Sequence, residues 1–413
     1  MTRSSALPVL SLALLLGGCE SILGSRSGPE GPLTSLPRQL SAAEEQVVQA
    51  SNHFAFGLLR EASARDTSSN VFLSPLSATM ALGMAMNGAR GGTFDEMRAT
   101  LGFEGLSQDE INASYRDLTE LILGLDDRVD MRIANALWAR QEFPLHPGFV
   151  ATTRDFFGAE ARELDFAAPA SLGIVNDWVS RSTNGRIPTI LDRLDQDVVL
   201  YLMNAIYFKG TWTHPFDRRR TRATPFYRAD GTQQSVQMMS LPEAKVLHFR
   251  DSGVQVVDLP YSREAFSMTL VLPGHDRSLD DVLATLDDAT WRDWMGRLQE
   301  TTLMVQLPRF RLEYEQILNE TLRGLGMVTP LDPQAADFSG MSPVHLYIHD
   351  VRQKTFLEVN EEGTEAAAAT SVGVAPTSAP PSFRADRPFL AVIRERLSGT
   401  ILFIGIIGAP PAG

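Results

Sequence analysis

Apolar residues in the first third of the chain recur at helical spacing. Ser41 and Glu44 are spaced as a capping box before such a stretch, so the folded chain is predicted to open with a helix. Ser74 followed by Pro75 indicates the start of a second helix that runs toward residue 88. Similar signals predict helices over residues 93–101, from residue 107 with Ser107 and Glu110 as its capping pair, and over residues 315–325.

From residue 131 onward, strand patterns prevail. Residues 131–138 alternate between apolar and polar side chains, which predicts a half-buried strand, whereas residues 198–208 are almost continuously apolar, as in a strand covered on both faces. Because helices cluster early and strands late, the predicted class is α+β. Further strands are predicted over residues 266–272, 303–307, 344–348, 355–360, 387–393 and 401–407.

One segment between two of these strands fits neither pattern. Residues 361–370 read E-E-G-T-E-A-A-A-A-T, and in an extended chain Thr364 shares one uniformly small face with residues 366, 368 and 370. Small residues are poor formers of a permanent strand, but they enter an existing sheet at little steric or desolvation cost. The segment is either a hinge that inserts into a sheet, which its flanking strands favour, or a solvated linker or short alanine helix. Its residues are Glu361, Glu362, Gly363, Thr364, Glu365, Ala366, Ala367, Ala368, Ala369 and Thr370.

Four groups of motifs resemble the serpin family and occur in that family's order. They are N-V-F-L-S-P-L-S at 70–77 with N-G-A at 87–89, N-D-W-V at 176–179 with T-N-G-R-I at 183–187, N-A-I-Y-F-K-G-T-W at 204–212 with P-F at 215–216, and Phe389 with I-L-F-I-G at 401–405. Together with the hinge they extend from roughly residue 42 to the end. The resemblance implies a serpin domain over residues 41–413, with three β-sheets, about eight or nine helices and an exposed reactive-centre loop at about residues 361–386.

The resemblance also implies a suicide inhibitor of serine proteases rather than an enzyme. Counted from the hinge as in serpins, the scissile bond joins Thr377 to Ser378. The protease is then held as an acyl-enzyme on Thr377 while the segment from Gly363 to about residue 376 inserts into the central sheet after cleavage. Thr377 is small and uncharged, so we expect elastase-like targets and poor inhibition of trypsin-like enzymes. Cysteine proteases are also compatible with the mechanism, and the inhibitor is expected to be a monomer.

A second set of residues matches the region where the serpin sheet opens. Ser74, Ser77 and Asn204 correspond to polar groups beneath that sheet, where they either control its opening or simply pair within the core. Trp212 belongs to the same region. Gln353 stands where many serpins have a histidine. Its amide can still bridge two strands, but it does not titrate, so pH-dependent control through this position is not expected.

The composition is that of a globular protein without a nucleic-acid partner. The chain has 413 residues, 44 % hydrophobic and 21 % charged, and a formal net charge of -13. Its one dense basic patch comprises Arg218, Arg219, Arg220 and Arg222. This patch is either a solvated loop or a contact for an acidic surface on a partner.

The N-terminus resembles a bacterial lipoprotein signal. Arg3, the apolar residues 7–16 and the sequence L-G-G-C at 16–19 predict a signal peptide over residues 1–18 and a lipidated Cys19, although a plain secretory peptide also fits. Cys19 is the single cysteine, so no internal disulfide can form. Residues 19–40, rich in glycine and proline, predict a flexible tether on the order of 25 Å long. We expect an exported protein whose sole membrane contact is a lipid anchor at the cell envelope or surface.

Catalytic, cofactor and metal motifs are missing from the sequence. It has no G-x-S-x-G, P-loop or dinucleotide-binding motif, so neither an enzyme nor a bound cofactor is expected. His345 and His349 lie too far apart on a predicted strand to share a metal ion. The helix from Ser107 begins with acidic residues, which disfavours a heparin-like activator. The main alternative is a non-inhibitory serpin that acts as a carrier, chaperone or surface adhesin, although such relatives often have bulky or charged hinges.

Overall fold

The structure is a computed structural model that describes residues 1, 31–364 and 381–411. The chain separates into the units Met1–Gly31 and Pro32–Gly413, and the helices and strands described below lie in the second. The α-helices among the described residues are α1 (Ala42–Arg65), α2 (Pro75–Met86), α3 (Gly91–Thr100), α4 (Gln108–Gly124), α5 (Pro147–Phe157), α6 (Pro169–Ser182), α7 (Leu279–Ala284), α8 (Asp288–Arg297) and α9 (Asn319–Gly324). Short 3₁₀ helices occupy Arg218–Arg220 and Thr329–Leu331.

The strands form one hydrogen-bonded path in the order β1-β14-β13-β8-β7-β6-β9-β10-β4-β2-β3, with β5 on β6, β12 on β9 and β11 on β4. The long strands β6 and β9 each pass from one part of the path into the next, which connects a central part, β3-β2-β4-β10-β9, with the remainder. The predicted α+β class is thereby confirmed. The strands are β1 (Asn70–Leu73), β2 (Asp130–Arg140), β3 (Glu160–Leu164), β4 (Leu200–Thr211), β5 (Arg222–Tyr227), β6 (Gln233–Arg250), β7 (Val254–Tyr261), β8 (Phe266–Pro273), β9 (Gln299–Ile317), β10 (Asp350–Val359), β11 (Gly363–Thr364), β12 (Ser382–Arg384), β13 (Phe389–Glu395) and β14 (Ile401–Ile407).

The central part of the sheet is covered on both faces. On one face lies α2, whose twelve residues are all buried, as expected for a helix that is apolar around its whole circumference. On the other face α6 packs on β2 and β4 and places Trp178 against Trp138, with ring centroids 6.0 Å apart. This double coverage explains why the sequence of β4 is almost continuously apolar.

Several predicted elements are confirmed at the level of single hydrogen bonds. The capping boxes at Ser41 and Ser107 are both formed, and they begin α1 and α4. Strands predicted from residues 131, 198, 266 and 401 correspond to β2, β4, β8 and β14.

Ser74 is the N-cap of α2 and Pro75 lies in its first turn, as predicted, while the Ser74 hydroxyl donates to the carbonyl of Leu402 at 2.7 Å. Two other predictions are corrected by tertiary contacts. The helix predicted over residues 315–325 is only α9, because β9 continues to Ile317 through its pairing with β10. Residues 344–348 are irregular rather than a strand, and His345 bonds through Nε2 to the Pro333 carbonyl at 2.9 Å.

Part of the predicted tether packs on the domain. Leu33, Leu36 and Leu40 pack against the main core, and the Leu33 amide donates to the carbonyl of Arg263 at 2.7 Å. Within the described residues, these three leucines of the predicted tether therefore belong to the packed unit. Within the described residues, none of the helices is both long and apolar enough to span a bilayer.

Candidate functional site

The seam between β4 and β10 is paired along only part of its length. The two strands run parallel and pair from Tyr201 opposite Asp350 to Ile206 opposite Thr355. Beyond this point they no longer pair with each other, although both continue. The seam is therefore closed at one end and open at the other.

The open end of the seam holds the first residues of the hinge. Gly363 and Thr364 form β11 and pair antiparallel with Thr211 and Gly210 of β4. This finding corrects the expectation that the segment from Gly363 enters the sheet only after cleavage, because two of its residues already lie in the ladder.

Close contacts restrict both residues of β11. Gly363 has φ +148°, and a Cβ there would lie 2.2 Å from the carbonyl oxygen of Gly210, so this position requires glycine. Thr364 is buried, and its hydroxyl lies 3.0 Å from the hydroxyl of Tyr261. Burial raises the pKa of Tyr261 far above its usual value, which keeps that hydroxyl protonated. The space at Thr364 thus suits a small side chain with one hydroxyl.

A tight turn brings the chain from β10 into β11. The side-chain oxygen of Asn360 accepts from the amides of Glu362 at 3.0 Å and Gly363 at 3.2 Å. Trp212 braces this turn, because its indole donates to the carbonyl of Asn360 at 2.9 Å and its amide donates to the carbonyl of Glu362 at 2.9 Å. Trp212, which was expected in the same region as Ser74, Ser77 and Asn204, lies at the hinge.

The two acidic residues of the hinge are buried beside arginines. Glu361 and Glu362 are only 2 % and 7 % exposed. Glu362 is bound by Arg218 at 2.6 Å, and Glu361 accepts from the Thr221 hydroxyl at 2.7 Å and pairs with Arg309 at 3.7 Å. The basic patch is therefore more than a solvated loop, since one of its arginines anchors the hinge. The sequence contains a signal for this contact, because two adjacent acidic residues precede Gly363 in a chain that has one dense basic patch.

A polar network lies beneath the paired part of the seam. Gln353 on β10 accepts from the amide of Ser74 and donates to its carbonyl, both at 2.9 Å, and its nitrogen lies 3.5 Å from Oδ1 of Asn204 on β4. Ser77 also donates to Asn204, and Asn204 donates to Oδ1 of Asn135 at 2.8 Å. The structure thus brings together Ser74, Ser77, Asn204 and Gln353. Asn135 was missed, because a polar residue within an alternating strand pattern has no distinctive signal.

This network crosses the seam. Gln353 and Asn204 are direct register partners on neighbouring strands. Neighbouring strands lie about 4.8 Å apart, so a strand inserted between β10 and β4 doubles that separation and breaks the contact. Insertion therefore requires the network to rearrange.

The segment that follows α6 is hydrogen-bonded to β10 beside the seam. Asn176 on α6 accepts from the amides of Ile190 and Leu191 and donates to the Leu191 carbonyl. From this segment the carbonyl of Thr189 accepts from Nζ of Lys354 on β10 at 2.9 Å. The N-D-W-V motif thus positions a segment that is hydrogen-bonded to β10 beside the seam.

The far end of the loop is anchored on another strand. Ser382 opens β12, which runs parallel to β9 with Ser382 opposite Met304. The remaining predicted site residues lie outside the described residues, namely Thr377, Ser378, hinge residues 365–370 and Cys19.

The central sheet has a seam that is paired over only part of its length, and the open end of this seam holds the start of a loop. This arrangement defines a class of protein whose sheet can admit a further strand. The model of the family described as Serpin (serine protease inhibitor) matches residues 49–410. The chain belongs to the serpin family.

Relatives and structural neighbours cover nearly the whole chain. Antithrombin-III of Homo sapiens is 33 % identical over 397 residues, covering 92 % of this chain and 85 % of that protein. Leukocyte elastase inhibitor of Xenopus laevis is 33 % identical, covering 89 % of this chain and 100 % of that protein. The structure of human thyroxine-binding globulin complexed with thyroxine is similar with a TM-score of 0.83 at 27 % identity, covering 90 % of this chain and 100 % of that chain. Serpins of different activity therefore share this fold.

Replacement of Gln353 by glutamate tests the buried network. The variant keeps the side-chain shape but loses the donor to Ser74 and places a carboxylate in a buried site, which raises its pKa in the folded state. When the pKa of a group is higher in the folded state than in the unfolded state, its contribution to stability is complete at pH values below the unfolded-state pKa. That contribution is lost as the pH rises through the folded-state pKa. We expect the variant to be about 3 kcal/mol less stable than the wild type at pH 7.5, with a smaller difference at pH 5.

Denaturant unfolding at the two pH values measures this difference. Gln353→Leu is the control for pH dependence, because it removes both hydrogen bonds to Ser74 without adding a titratable group, and its loss of stability should not depend on pH. An equal loss for Gln353→Glu at pH 7.5 and pH 5 would contradict the assigned role of Gln353.

Proposed function

We propose that the chain inhibits serine proteases by trapping them after cleavage between Thr377 and Ser378. The observation that carries this proposal is β11, because the small start of the hinge already occupies the open end of an incompletely paired seam. A bulky or charged hinge would not fit the buried space beside Tyr261.

Cleavage frees the hinge while the protease stays attached. The protease serine attacks the carbonyl carbon of Thr377, the bond to the Ser378 nitrogen breaks, and Ser378 keeps the new amino group. Thr377 becomes the acyl group of an ester with the protease. Further insertion from β11 then carries the tethered enzyme along the seam.

The register of β11 predicts how far insertion runs. Gly363 lies opposite Thr211 and Thr364 opposite Gly210, so paired residue numbers add up to 574, since 363 + 211 = 574 and 364 + 210 = 574. Continued pairing places residue 374 opposite Leu200, which is the first residue of β4, because 574 − 200 = 374. The inserted strand thus ends three residues before Thr377, and nearly all of the hinge segment has a partner on β4.

The same register brings a hydroxyl to the polar network. Thr370 falls opposite Asn204, since 574 − 204 = 370, and it shares the strand face of Thr364. Its hydroxyl can therefore bond to Asn204 when Gln353 is displaced. This exchange would lower the cost of opening the seam.

Insertion supplies the energy that disables the protease. Roughly ten added residues at about 0.5 to 1.5 kcal/mol per hydrogen bond give on the order of 10 kcal/mol. The loss of one oxyanion-hole donor already slows acyl transfer by about 100-fold or more. A protease distorted in this way no longer hydrolyses its ester, so trapping requires insertion to be faster than deacylation.

The proposed target class follows from Thr377. A small, β-branched and uncharged residue suits a shallow apolar primary pocket, which favours elastase-like enzymes over trypsin-like ones. The similarity to leukocyte elastase inhibitor supports the same choice. Cysteine proteases of matching specificity are further targets of the same chemistry.

The proposed location follows from the N-terminal signal. Lipidation of Cys19 would hold a monomeric inhibitor at the cell envelope or surface of a bacterium after export. Mass spectrometry of the membrane fraction would detect the lipid on Cys19, and a soluble mature protein without it would refute the anchor.

A mixing experiment with an elastase-like protease tests the inhibitory mechanism. We expect the wild type to form an SDS-resistant complex near one-to-one stoichiometry. In Thr364→Arg the guanidinium cannot enter the buried site beside Tyr261, so this variant should be cleaved without trapping the enzyme. Thr364→Ser is the control, because it keeps the hydroxyl and should still trap. Cleavage of the wild type without a complex would instead indicate a non-inhibitory serpin, and trapping by Thr364→Arg would contradict the role of the hinge.

Substitution of Thr377 tests the position of the scissile bond. Thr377→Arg should raise the association rate constant with trypsin-like enzymes by about 100-fold or more and lower it with elastase-like ones, because a charged residue then occupies the primary pocket. Thr377→Val keeps the shape and should leave the preference unchanged. The measurement is the inhibition rate constant for each enzyme, and an unaltered target profile would place the cleaved bond elsewhere.

A further inference from the structure

The arginines next to the hinge are exposed to solvent. Arg218, Arg219 and Arg220 are 66 %, 76 % and 51 % exposed in their side chains, and Arg222 is also exposed. We call these four residues the arginine segment. Asp217 caps the short helix at this point and pairs with Arg219 at 2.9 Å, which fixes the segment close to the surface.

The segment lies between the two anchors of the loop. On one side Arg218 holds Glu362 at the start of the hinge. From Arg222 the strand β5 leads to Tyr227, whose amide donates to the carbonyl of Asp386 at 2.8 Å, just beyond the other anchor. The arginine segment and β5 therefore connect the departing and the returning ends of the loop.

The distance between these anchors is short compared with a protease. Arg309, which pairs with Glu361, and Met304, which lies opposite Ser382, are five residues apart on β9, or about 17 Å. Thr377 is five residues before Ser382 and lies at most about 18 Å from it along the chain. A protease domain of about 230 residues has a radius of gyration of roughly 17 Å, so an enzyme that acts on this bond is large enough to reach the arginine segment.

We propose that the arginine segment is a docking surface for an acidic patch on the target protease. The inference rests on the proposed function and specifies the kind of protease that associates fastest. The chain has a net charge of -13, so it repels acidic proteins in general, and a local positive surface beside the loop directs an acidic protease to the productive orientation. The segment's place between the loop anchors favours a protease over a free polyanion as its partner.

The test uses a charge reversal that spares the hinge. Arg219→Glu combined with Arg220→Glu leaves Arg218 and its bond to Glu362 intact. The matched control is Arg116→Glu with Arg154→Glu, because these exposed arginines on α4 and α5 also pair with a neighbouring aspartate, at 2.8 Å and 2.9 Å. Both double variants change the net charge equally, and thermal unfolding checks that both are folded.

The probe is an acidic elastase-like protease whose catalytic serine is replaced by alanine. We expect the Arg219 and Arg220 double variant to associate about 10-fold more slowly than the control at low ionic strength, with the difference vanishing at high salt. Equal rates for the two double variants would overturn the proposal. Inorganic polyphosphate is a second probe, and if it binds the wild type but not the Arg219 and Arg220 variant while protease association is unchanged, the partner is a polyanion and the proposal is wrong.

If the protein is not an inhibitor, the experiment gives a result that differs from a failure of the docking proposal. With active protease, a non-inhibitory protein is cleaved without forming a stable complex in the wild type and in both variants. The association rate of the serine-to-alanine protease does not depend on trapping, so it reports docking in either case.

Discussion

The parallel pairing between β4 and β10 is the interaction on which the proposed function of this serpin depends. It extends over six residue pairs and then stops, although both strands continue. At about 0.5 to 1.5 kcal/mol per hydrogen bond, a ladder this short contributes only several kcal/mol. An inserted strand replaces it with two antiparallel ladders, one on each side, so the closed sheet has fewer hydrogen bonds than the same sheet with its loop inserted.

In the proposed mechanism, the groups around the seam keep it closed until the loop is cut. Gln353 and Asn204 join the two strands to the start of α2, and Lys354 ties β10 to the segment after α6. Buried polar groups of this kind are costly when left unpaired, so the network resists partial opening. At the open end, Arg218 and Trp212 hold the base of the loop in the position from which insertion continues. The same contacts that stabilise the intact protein therefore define the path of the inserting strand.

The sequence predicted the parts of this account that depend on local pattern or motif. The continuous apolar run of β4, the capping boxes of α1 and α4, and the hinge composition each have a direct physical signature. The grouping of Ser74, Ser77, Asn204 and Gln353 came from family motifs rather than from spacing. What the sequence could not show depends on distant contacts. The burial of Glu361 and Glu362 requires arginines far away in the chain, and the extension of β9 through residue 317 requires β10 as a partner. The early entry of β11 likewise depends on the end of β4.

The most direct test of the central claim is a crystal structure of the protein cleaved at the reactive bond. It should show a new strand between β4 and β10, with residue 374 opposite Leu200 and with Gln353 and Asn204 separated by the inserted strand. If β4 and β10 still pair directly from Tyr201 to Ile206, with the cleaved segment outside the sheet, the account is contradicted.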